Sequence, residues 1–182
     1  MEHMRVSPVI RLEKINVSMA QVIFDTIKRD QDYLKTWLPF VEFTQKVEDT
    51  VLFIQSVSDD EPVLQKAIYS IWVKEEFAGL IGFNEIDWTN KKTELGYWLA
   101  ENMQGKGVIT QCAQKLVNYA FQKLKLNRIQ IKVAVGNERS MAVPKRLGFL
   151  FEGVERSGEL IESKFHDLEI YSLLKNDHAI NH

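Results

Sequence analysis

The sequence predicts an α+β fold with a mixed sheet, and three features of the chain indicate it. The first third shows the apolar spacing of helices, the middle holds three strand-like runs joined by short polar turns, and the last part alternates strands with helices before two closing strands. The 182 residues contain no internal repeat and no Gly/Ser-rich linker. We therefore expect a single domain over residues 1–182, with a disordered tail from about residue 176.

The first third of the chain is predicted to be helical. Residues 17–30 carry apolar side chains at helical spacing behind Asn16 or Ser18, and either of these two would serve as the N-cap. A second, short helical piece ends at residues 37–39, and a third covers about residues 46–58.

The middle of the chain predicts an antiparallel meander. Residues 66–73, 77–86 and 93–99 are rich in β-branched and aromatic side chains, and short polar turns separate them. Strands joined by such turns pair with their neighbours along the chain.

The clearest helix of the sequence follows this meander. Residues 109–124 place their apolar side chains on one continuous stripe and their polar side chains on the other side. Residues 129–135 then alternate apolar with polar side chains, as a strand does. Because a helix crosses over between them, the strands 93–99 and 129–135 are predicted to be parallel.

The end of the chain predicts a short helix and a closing hairpin. The helix covers about residues 140–147 and would stop at Gly148, because glycine readily adopts the left-handed conformation found there. Residues 149–156 and 165–174 suit the two strands of the hairpin.

Composition and charge argue against several classes of function. The 23 basic and 25 acidic side chains leave a net charge of −2, which argues against binding nucleic acid through bulk positive charge. Apolar stretches such as residues 78–83 are far shorter than the roughly 18 residues of a membrane span. The single cysteine, Cys112, excludes an internal disulfide, and residues 1–5 lack the apolar segment of a signal peptide. We therefore expect a cytoplasmic protein.

The segment that points to chemistry is the turn Gln104-Gly105-Lys106-Gly107, ahead of the long helix. A turn that opens a helix exposes backbone N–H groups without intrahelical partners, and with the helix dipole these groups suit a phosphate or pyrophosphate. The alternative is that the glycines only allow the chain to turn. A P-loop is not indicated, because no Lys-Ser or Lys-Thr follows a second glycine, and the third glycine of the dinucleotide fingerprint is missing.

Four motifs, in this order, resemble those of the GNAT acetyltransferases: residues 94–99 (ELGYWL), 104–107 (QGKG), 137–140 (NERS) and 147–149 (LGF). The resemblance spans nearly the whole chain and is closest to the ribosomal-protein N-terminal acetyltransferases of the RimJ/RimL type. It implies a GNAT-type fold with a mixed, mostly antiparallel central sheet of about seven strands and helices on both faces. One departure is Ile109, where the superfamily pattern has a small residue. Its side chain would tighten the space beside the phosphates.

The same resemblance implies acetyl-CoA as the acetyl donor, whereas the spacing of the histidines argues against a metal. The pyrophosphate would lie on the backbone N–H groups of residues 104–109. The pantetheine arm would pair with the strand that ends at residues 98–100, where that strand diverges from the strand 129–135, as an added strand pairs with a sheet edge. The residues assigned in this way to the coenzyme are Trp98, Leu99, Ala100, Gln104, Gly105, Lys106, Gly107, Val108, Ile109, Asn137 and Ser140.

Direct attack of an amine on the thioester needs a base for the amine, a donor for the oxyanion and an acid for the thiolate. The resemblance implies Ser140 as the acid, and the alternative is that Ser140 only caps the short helix together with Asn137. Two carboxylates compete as the base. Glu159 stands where the closest branch uses a carboxylate through water, and we favour it, whereas Glu94 stands where histone-type members place theirs. Either could instead be a solvated surface residue, and Asp167 is a third, weaker candidate that would rather brace a strand pair.

A covalent route through Cys112 is the alternative mechanism. Cys112 lies on the apolar stripe of the long helix, which is typical of a buried structural thiol. No pair of histidines has metal-ligand spacing, since His3, His178 and His182 fall in tails and His166 stands alone.

The resemblance implies an N-terminal α-amine as the acceptor, and the acidity of amines is consistent with it. With a pKa of roughly 7.7–8.0, about 10% of an α-amine is neutral at pH 7, against well under ~0.1% of a lysine side chain. A carboxylate that acts through water is therefore sufficient for an α-amine and marginal for lysine. Trp37, Phe40 and Phe43, with Glu42, give the expected acceptor surface an aromatic and acidic character, unless these aromatic rings only pack the helices onto the sheet.

Two other functions are compatible with the sequence. One is acetylation of a small amine such as a polyamine or an aminoglycoside, and the other is a non-catalytic acyl-CoA-binding module. The expected partner is thus a protein N-terminus or a small amine, without direct contact to nucleic acid or membrane. A homodimer is compatible with the resemblance.

Overall fold

A computed structural model describes residues 3–57 and 64–180, and within them eight strands form one sheet. The strands are β1 (His3–Arg5), β2 (Ile10–Lys14), β3 (Ala67–Val73), β4 (Glu76–Asp87), β5 (Lys92–Leu99), β6 (Arg128–Ala134), β7 (Leu150–Ile161) and β8 (Lys164–Leu174). Their order across the sheet is β1-β2-β3-β4-β5-β6-β8-β7. Neighbouring strands are antiparallel except β5 and β6, which are parallel. The meander, the parallel pair and the mixed, mostly antiparallel sheet are confirmed.

The strands β1 and β2 were not predicted from the sequence. The expected total of about seven strands is corrected to eight. In β2 the side chains of Ile10 and Leu12 are buried, whereas Arg11 between them is only partly covered. This alternation is that of a strand with one face on the core. It covers only five residues and lies directly before the helical pattern of the first third, so the signal is weak.

Seven helices of the described residues lie on both faces of the sheet, as expected. They are α1 (Ala20–Arg29), α2 (Gln31–Leu34), α3 (Phe40–Phe43), α4 (Val47–Ser56), α5 (Val108–Gln122), α6 (Glu138–Arg146) and α7 (Lys175–Ile180). One buried cluster joins α1–α4 to the sheet around Ile23 and Ile54, and a second joins α5 and α6 to it around Leu116 and Met141. Ser58, the last residue of the third predicted helix, lies outside the described residues. Within the described ranges, no helix has both the length and the apolar surface that crossing a bilayer requires.

The prediction of a disordered tail from about residue 176 is wrong for residues up to 180, which form α7. His178 Nε2 lies 2.7 Å from Asn118 Oδ1, and the His178 ring lies 5.3 Å from that of Phe121. These contacts fasten α7 to α5. The sequence of α7 carries no apolar stripe, so its helix depends on contacts that local sequence does not reveal. His182 lies outside the described residues.

The parallel strands β5 and β6 are paired over only part of their length. The ladder runs from Lys92 opposite Arg128 to Glu94 opposite Gln130 and then ends, although β5 continues to Leu99. On its other side β5 stays paired with β4 as far as Leu99. The strands therefore diverge after Glu94, earlier along β5 than the residues 98–100 named in the expectation, and the β6-facing backbone of residues 95–99 is left without a strand partner.

Candidate active site

The glycine-rich turn adopts a conformation that favours glycine at two positions. Gly105 has φ 73° and Gly107 has φ 69°, both in the left-handed region, and Gly107 is the N-cap of α5. An ideal Cβ on Gly105 would meet no atom within 4 Å, so the backbone on that side is open. Among the described residues, the N–H groups of residues 105–107 donate no backbone hydrogen bond. Together with the first amides of α5 they form a set of free donors suited to an anion.

Side chains hold the turn against the end of β5. Gln104 Nε2 donates to the carbonyl oxygen of Leu99 at 3.1 Å, and Lys106 Nζ donates to the carbonyl oxygen of Asn102 at 2.8 Å. Val108 and Ile109 are both buried in the core. The larger side chain of Ile109 is thus accommodated by packing in the core.

A cavity of about 690 Å³ extends from this turn between β5, α5 and α6, and we call it the donor cavity. Leu99, Gly105, Gly107 and Ile109 contribute to its wall. Two arginines that were not selected from the sequence, Arg139 and Arg146, also line it; they lie seven residues, or two helical turns, apart on α6. That spacing, at which two residues share one helix face, is the signal that could have identified them.

Of the strand-end residues assigned to the coenzyme, Trp98 and Leu99 line the donor cavity, whereas Ala100 is not among its lining residues. The Trp98 ring packs on the opposite face of the sheet, 6.4 Å from the Phe40 ring and 5.9 Å from the Phe77 ring. Leu99 and Ala100 are buried. A ligand on this edge would therefore meet main-chain N–H and C=O groups.

A second cavity, of about 610 Å³, lies on the face of the sheet that carries α1–α4, and we call it the acceptor cavity. Trp37, Phe40 and Phe43 line it, as do both candidate bases, Glu94 and Glu159. The two carboxylates come from strands far apart in sequence, and the fold brings them to one space. Glu42 is exposed and is not among the lining residues of this cavity.

The Glu94 carboxylate is held by neutral donors and faces one cation. Its Oε1 accepts from Asn84 Nδ2 at 3.1 Å, its Oε2 accepts from Gln130 Nε2 at 3.4 Å, and Lys132 Nζ lies 4.0 Å from Oε2. Lys132 also makes a closer ion pair, at 2.8 Å, with Glu155. Lys132 was not selected from the sequence, where it appears only as a polar residue of an alternating strand.

Glu159 is half-buried at the other side of the same cavity. Burial raises the pKa of the Glu159 carboxyl, the negative charge of Glu94 raises this pKa further, and the positive charge of Lys132 opposes both. A carboxylate whose pKa is raised is a stronger base than an ordinary one.

The position of Glu159 depends on an irregularity in the β7–β8 ladder. Between Glu155 and Glu159 the register shifts, and Ser157 has φ 53°. The N–H of Ser157 donates to Asp167 Oδ1 at 2.8 Å. Asp167 thus braces the strand pair, as the sequence favoured.

The donor and acceptor cavities meet beside the start of α6. The residues that line both are Trp37, Leu38, Tyr97, Trp98, Asn137 and Ser140. Asn137 caps α6, because its Oδ1 accepts from the N–H of Ser140 at 3.2 Å. The Ser140 hydroxyl is not used by this cap. It lies 3.2 Å from the Tyr97 hydroxyl, which in turn donates to the carbonyl oxygen of Ser140 at 3.0 Å.

Cys112 is placed where it cannot react. Its side chain is completely buried, it lines neither cavity, and burial raises its pKa to about 12. Since the thiolate is the nucleophile, the covalent route is not supported. In the part of the chain that the structure describes, no three His, Cys, Asp or Glu side chains are grouped to hold a metal ion.

Comparison with known proteins agrees with this geometry. Residues 10–150 match a family model described as an acetyltransferase (GNAT) domain. The putative ribosomal N-acetyltransferase YdaF of Bacillus subtilis is 35% identical over 178 residues, which cover 95% of each chain.

Two solved structures combine this fold with a coenzyme. RimL, a ribosomal L7/L12 alpha-N-protein acetyltransferase in complex with coenzyme A, has a TM-score of 0.92 at 27% identity, over 97% of this chain and 99% of that one. The microcin C7 self immunity acetyltransferase MccE, in complex with acetyl-CoA and AMP, has a TM-score of 0.88 at 31% identity, over 93% of this chain and 94% of that one. The whole sheet, with helices on both faces, is therefore shared with proteins that bind coenzyme A or acetyl-CoA.

Proposed function

The chain belongs to the GNAT acetyltransferase family and uses acetyl-CoA, and we propose that it acetylates the N-terminal α-amine of a ribosomal protein. The observation that carries this proposal is the meeting of two cavities at Ser140, one leading to an anion-binding turn and the other to a pair of carboxylates. A thioester entering from one side would there face an amine entering from the other. The ribosomal acceptor is supported by the names of two relatives, YdaF and RimL.

In this proposal the coenzyme occupies the donor cavity. Its pyrophosphate takes the free amides within residues 104–109, which are those of residues 105–109 because the Gln104 N–H donates to the carbonyl oxygen of Glu101. The side chains of Arg139 and Arg146 add positive charge along the cavity, and Lys106 adds positive charge at the turn itself. Its pantetheine arm lies along the edge of β5 that has no strand partner, as far as residues 98–100, with Asn137 and Ser140 on the opposite wall. The sulfur is thereby brought to the junction of the two cavities.

The acceptor amine occupies the acceptor cavity. The two carboxylates there attract a cationic ammonium group, and the rings of Trp37, Phe40 and Phe43 provide apolar contact area for the residues behind it. Because an α-amine is far easier to deprotonate than a lysine side chain, a carboxylate of modestly raised pKa is a sufficient base for it.

The transfer we propose is direct. Glu159, acting through a water molecule, takes a proton from the ammonium group, and the lone pair freed in this way attacks the thioester carbonyl. The nitrogen then gives up a second proton to water, which leaves a neutral amide. Unpaired N–H groups of the β5 edge are the available donors to the oxyanion. When the C–S bond breaks, its electron pair stays on sulfur and the hydroxyl of Ser140 donates a proton to the thiolate. Both substrates are needed at once, so the transfer passes through a ternary complex.

Glu159 is favoured as the base because burial and the negative charge of Glu94 raise the pKa of its carboxyl. Glu94 is hydrogen-bonded to Asn84 and Gln130, which hold its carboxylate in place. Its role in the proposal is to attract and orient the ammonium group before that group loses its proton.

Replacement of Lys132 by methionine is expected to move the acidic limb of the pH–rate profile to higher pH. The positive charge of Lys132 lowers the pKa of Glu159, so its loss raises that pKa further. The base acts only when deprotonated, and the rate at low pH must therefore fall. The measurement is kcat/KM against pH, with Lys132→Arg as the charge-retaining control. An acidic limb that stays in place, or moves to lower pH, would contradict the role given to Glu159.

The proposed function is tested with synthetic peptides that carry ribosomal-protein N-termini. Each peptide contains an internal lysine, and its control differs only in a blocked N-terminus. Mass spectrometry after incubation with acetyl-CoA is expected to show one acetyl group on the free α-amine and none on the blocked control. Initial rates at varied concentrations of both substrates should give intersecting lines. Acetylation of lysine alone, of polyamines or aminoglycosides alone, or binding of acetyl-CoA without any product, would each overturn the proposal.

A further inference from the structure

Tyr97 is the residue at the junction of the two cavities whose hydroxyl has no part in the mechanism described so far. It lies on β5, and its ring packs against the core cluster of α5 and α6. Its hydroxyl makes two contacts, both with Ser140: one to the backbone carbonyl oxygen at 3.0 Å and one to the side-chain Oγ at 3.2 Å.

The hydrogens of this pair can be counted. A tyrosine hydroxyl has one hydrogen, and here Tyr97 donates it to the carbonyl oxygen of Ser140. The hydrogen of the Ser140 hydroxyl is then the one between the two side-chain oxygens, and it points at Tyr97. In this arrangement Ser140 has no hydrogen to offer to a sulfur atom in the donor cavity.

A small rotation makes that hydrogen available. If the Tyr97 hydroxyl turns its hydrogen from the carbonyl oxygen to Oγ of Ser140, the two side-chain oxygens stay in contact and the Ser140 hydrogen is released towards the cavity. Tyr97 also meets a chemical need. Serine is a much weaker acid than a thiol, so a serine that protonates a thiolate must itself be resupplied with a proton.

We propose that Tyr97 is a positioning residue that orients the Ser140 hydroxyl and replaces the proton which Ser140 gives to the leaving thiolate. The C–S bond breaks with its electron pair on sulfur, sulfur takes the hydrogen of Ser140 Oγ, and Oγ takes the hydroxyl hydrogen of Tyr97. The Tyr97 oxygen regains a proton from solvent water, which reaches it through the cavities. This inference depends on the acid role of Ser140 in the proposed function.

Burial supports this order of events. It raises the pKa of Tyr97, so the phenol stays protonated before the reaction and its anion takes back a proton quickly. Since Tyr97 lines both cavities, the exchange takes place where the thioester and the amine meet.

The test is Tyr97→Phe, which keeps the ring and removes only the hydroxyl. We expect kcat to fall about 10- to 100-fold, with an unchanged KM for acetyl-CoA and an unchanged melting temperature. Tyr119→Phe is the matched control, because Tyr119 lies on α5 and lines neither cavity. The double variant Tyr97→Phe/Ser140→Ala should be no slower than Ser140→Ala, since groups that act as one unit are not additive.

Each outcome decides the matter. A Tyr97→Phe variant with the wild-type kcat, or losses that multiply in the double variant, would overturn the inference and leave the proposed function intact. A Ser140→Ala variant as fast as the wild type would overturn both the acid role and the inference. A wild-type enzyme that acetylates no α-amine would overturn the proposed function itself.

Discussion

Replacement of Gly107 by valine is expected to weaken the binding of coenzyme A about 100-fold or more, with little change in the rest of the fold. Gly107 has φ 69° at the N-cap of α5, and a β-branched residue is strongly disfavoured there. Strain of this kind costs about 1–3 kcal/mol, and the turn would relax to a conformation in which its free amides no longer converge. A tenfold loss of affinity corresponds to about 1.4 kcal/mol. The strain and the loss of hydrogen bonds to the pyrophosphate together are therefore expected to lower the affinity by about 100-fold or more.

The measurement is isothermal titration calorimetry with coenzyme A, together with thermal unfolding of each variant. Gly153→Val is the matched control, because Gly153 also has a positive φ, 147°, but lies in β7 and lines neither cavity. We expect it to bind the coenzyme as the wild type does. A Gly107→Val protein that is folded and binds coenzyme A normally would remove the anion site from residues 104–109.

Replacement of Glu159 by glutamine is expected to lower kcat/KM for an α-amine by about 10²- to 10³-fold, the range of a lost general base. The sign of the pH dependence follows from the raised pKa of Glu159. In the wild type the rate falls as the pH drops through that raised pKa, because the base becomes protonated. In the variant this step disappears from the profile, and only the titration of the amine remains. The loss relative to the wild type is thus largest where the carboxylate is ionised but the amine is mostly protonated.

Two variants serve as comparisons for this result. Glu162→Gln removes an exposed carboxylate from the turn of the same hairpin and should leave the profile unchanged. Glu94→Gln should mainly raise the KM of the amine, since Glu94 is proposed to orient the ammonium group. If Glu159→Gln retained the wild-type profile and Glu94→Gln lost it, the base would be Glu94.

The parts of the fold that follow from local pattern were predictable. The stripe of α5 predicted both the helix and the parallel pairing of β5 with β6, and the glycines at 105 and 107 predicted a turn with exposed amides. β1, β2 and α7 were missed, because they are short and are stabilised by contacts with distant segments.

The candidate active site likewise has a part that could be predicted from the sequence and a part that could not. Its backbone half, the turn and the strand edge, lies within one stretch of sequence and could be predicted. Its side-chain half depends on distances between residues that are far apart in the chain: Tyr97 with Ser140, and Lys132 with Glu94. Sequence spacing carries no information on such pairs, so two competing carboxylates could be named but not placed in one cavity. For the same reason the Tyr97 hydroxyl was not recognised.

The short β5–β6 ladder has a consequence for the cohesion of the molecule. In the described part of the chain, the ladder that joins strands β1–β5 to β6–β8 has three residue pairs, Lys92–Arg128, Thr93–Ile129 and Glu94–Gln130. A coenzyme bound between the diverging strands would contact both β5 and β6, and its contacts would take the place of the missing ladder. The acetyl donor would then also stabilise the position of β1–β5 relative to β6–β8. The protein without coenzyme would be the more flexible state at this point of the sheet.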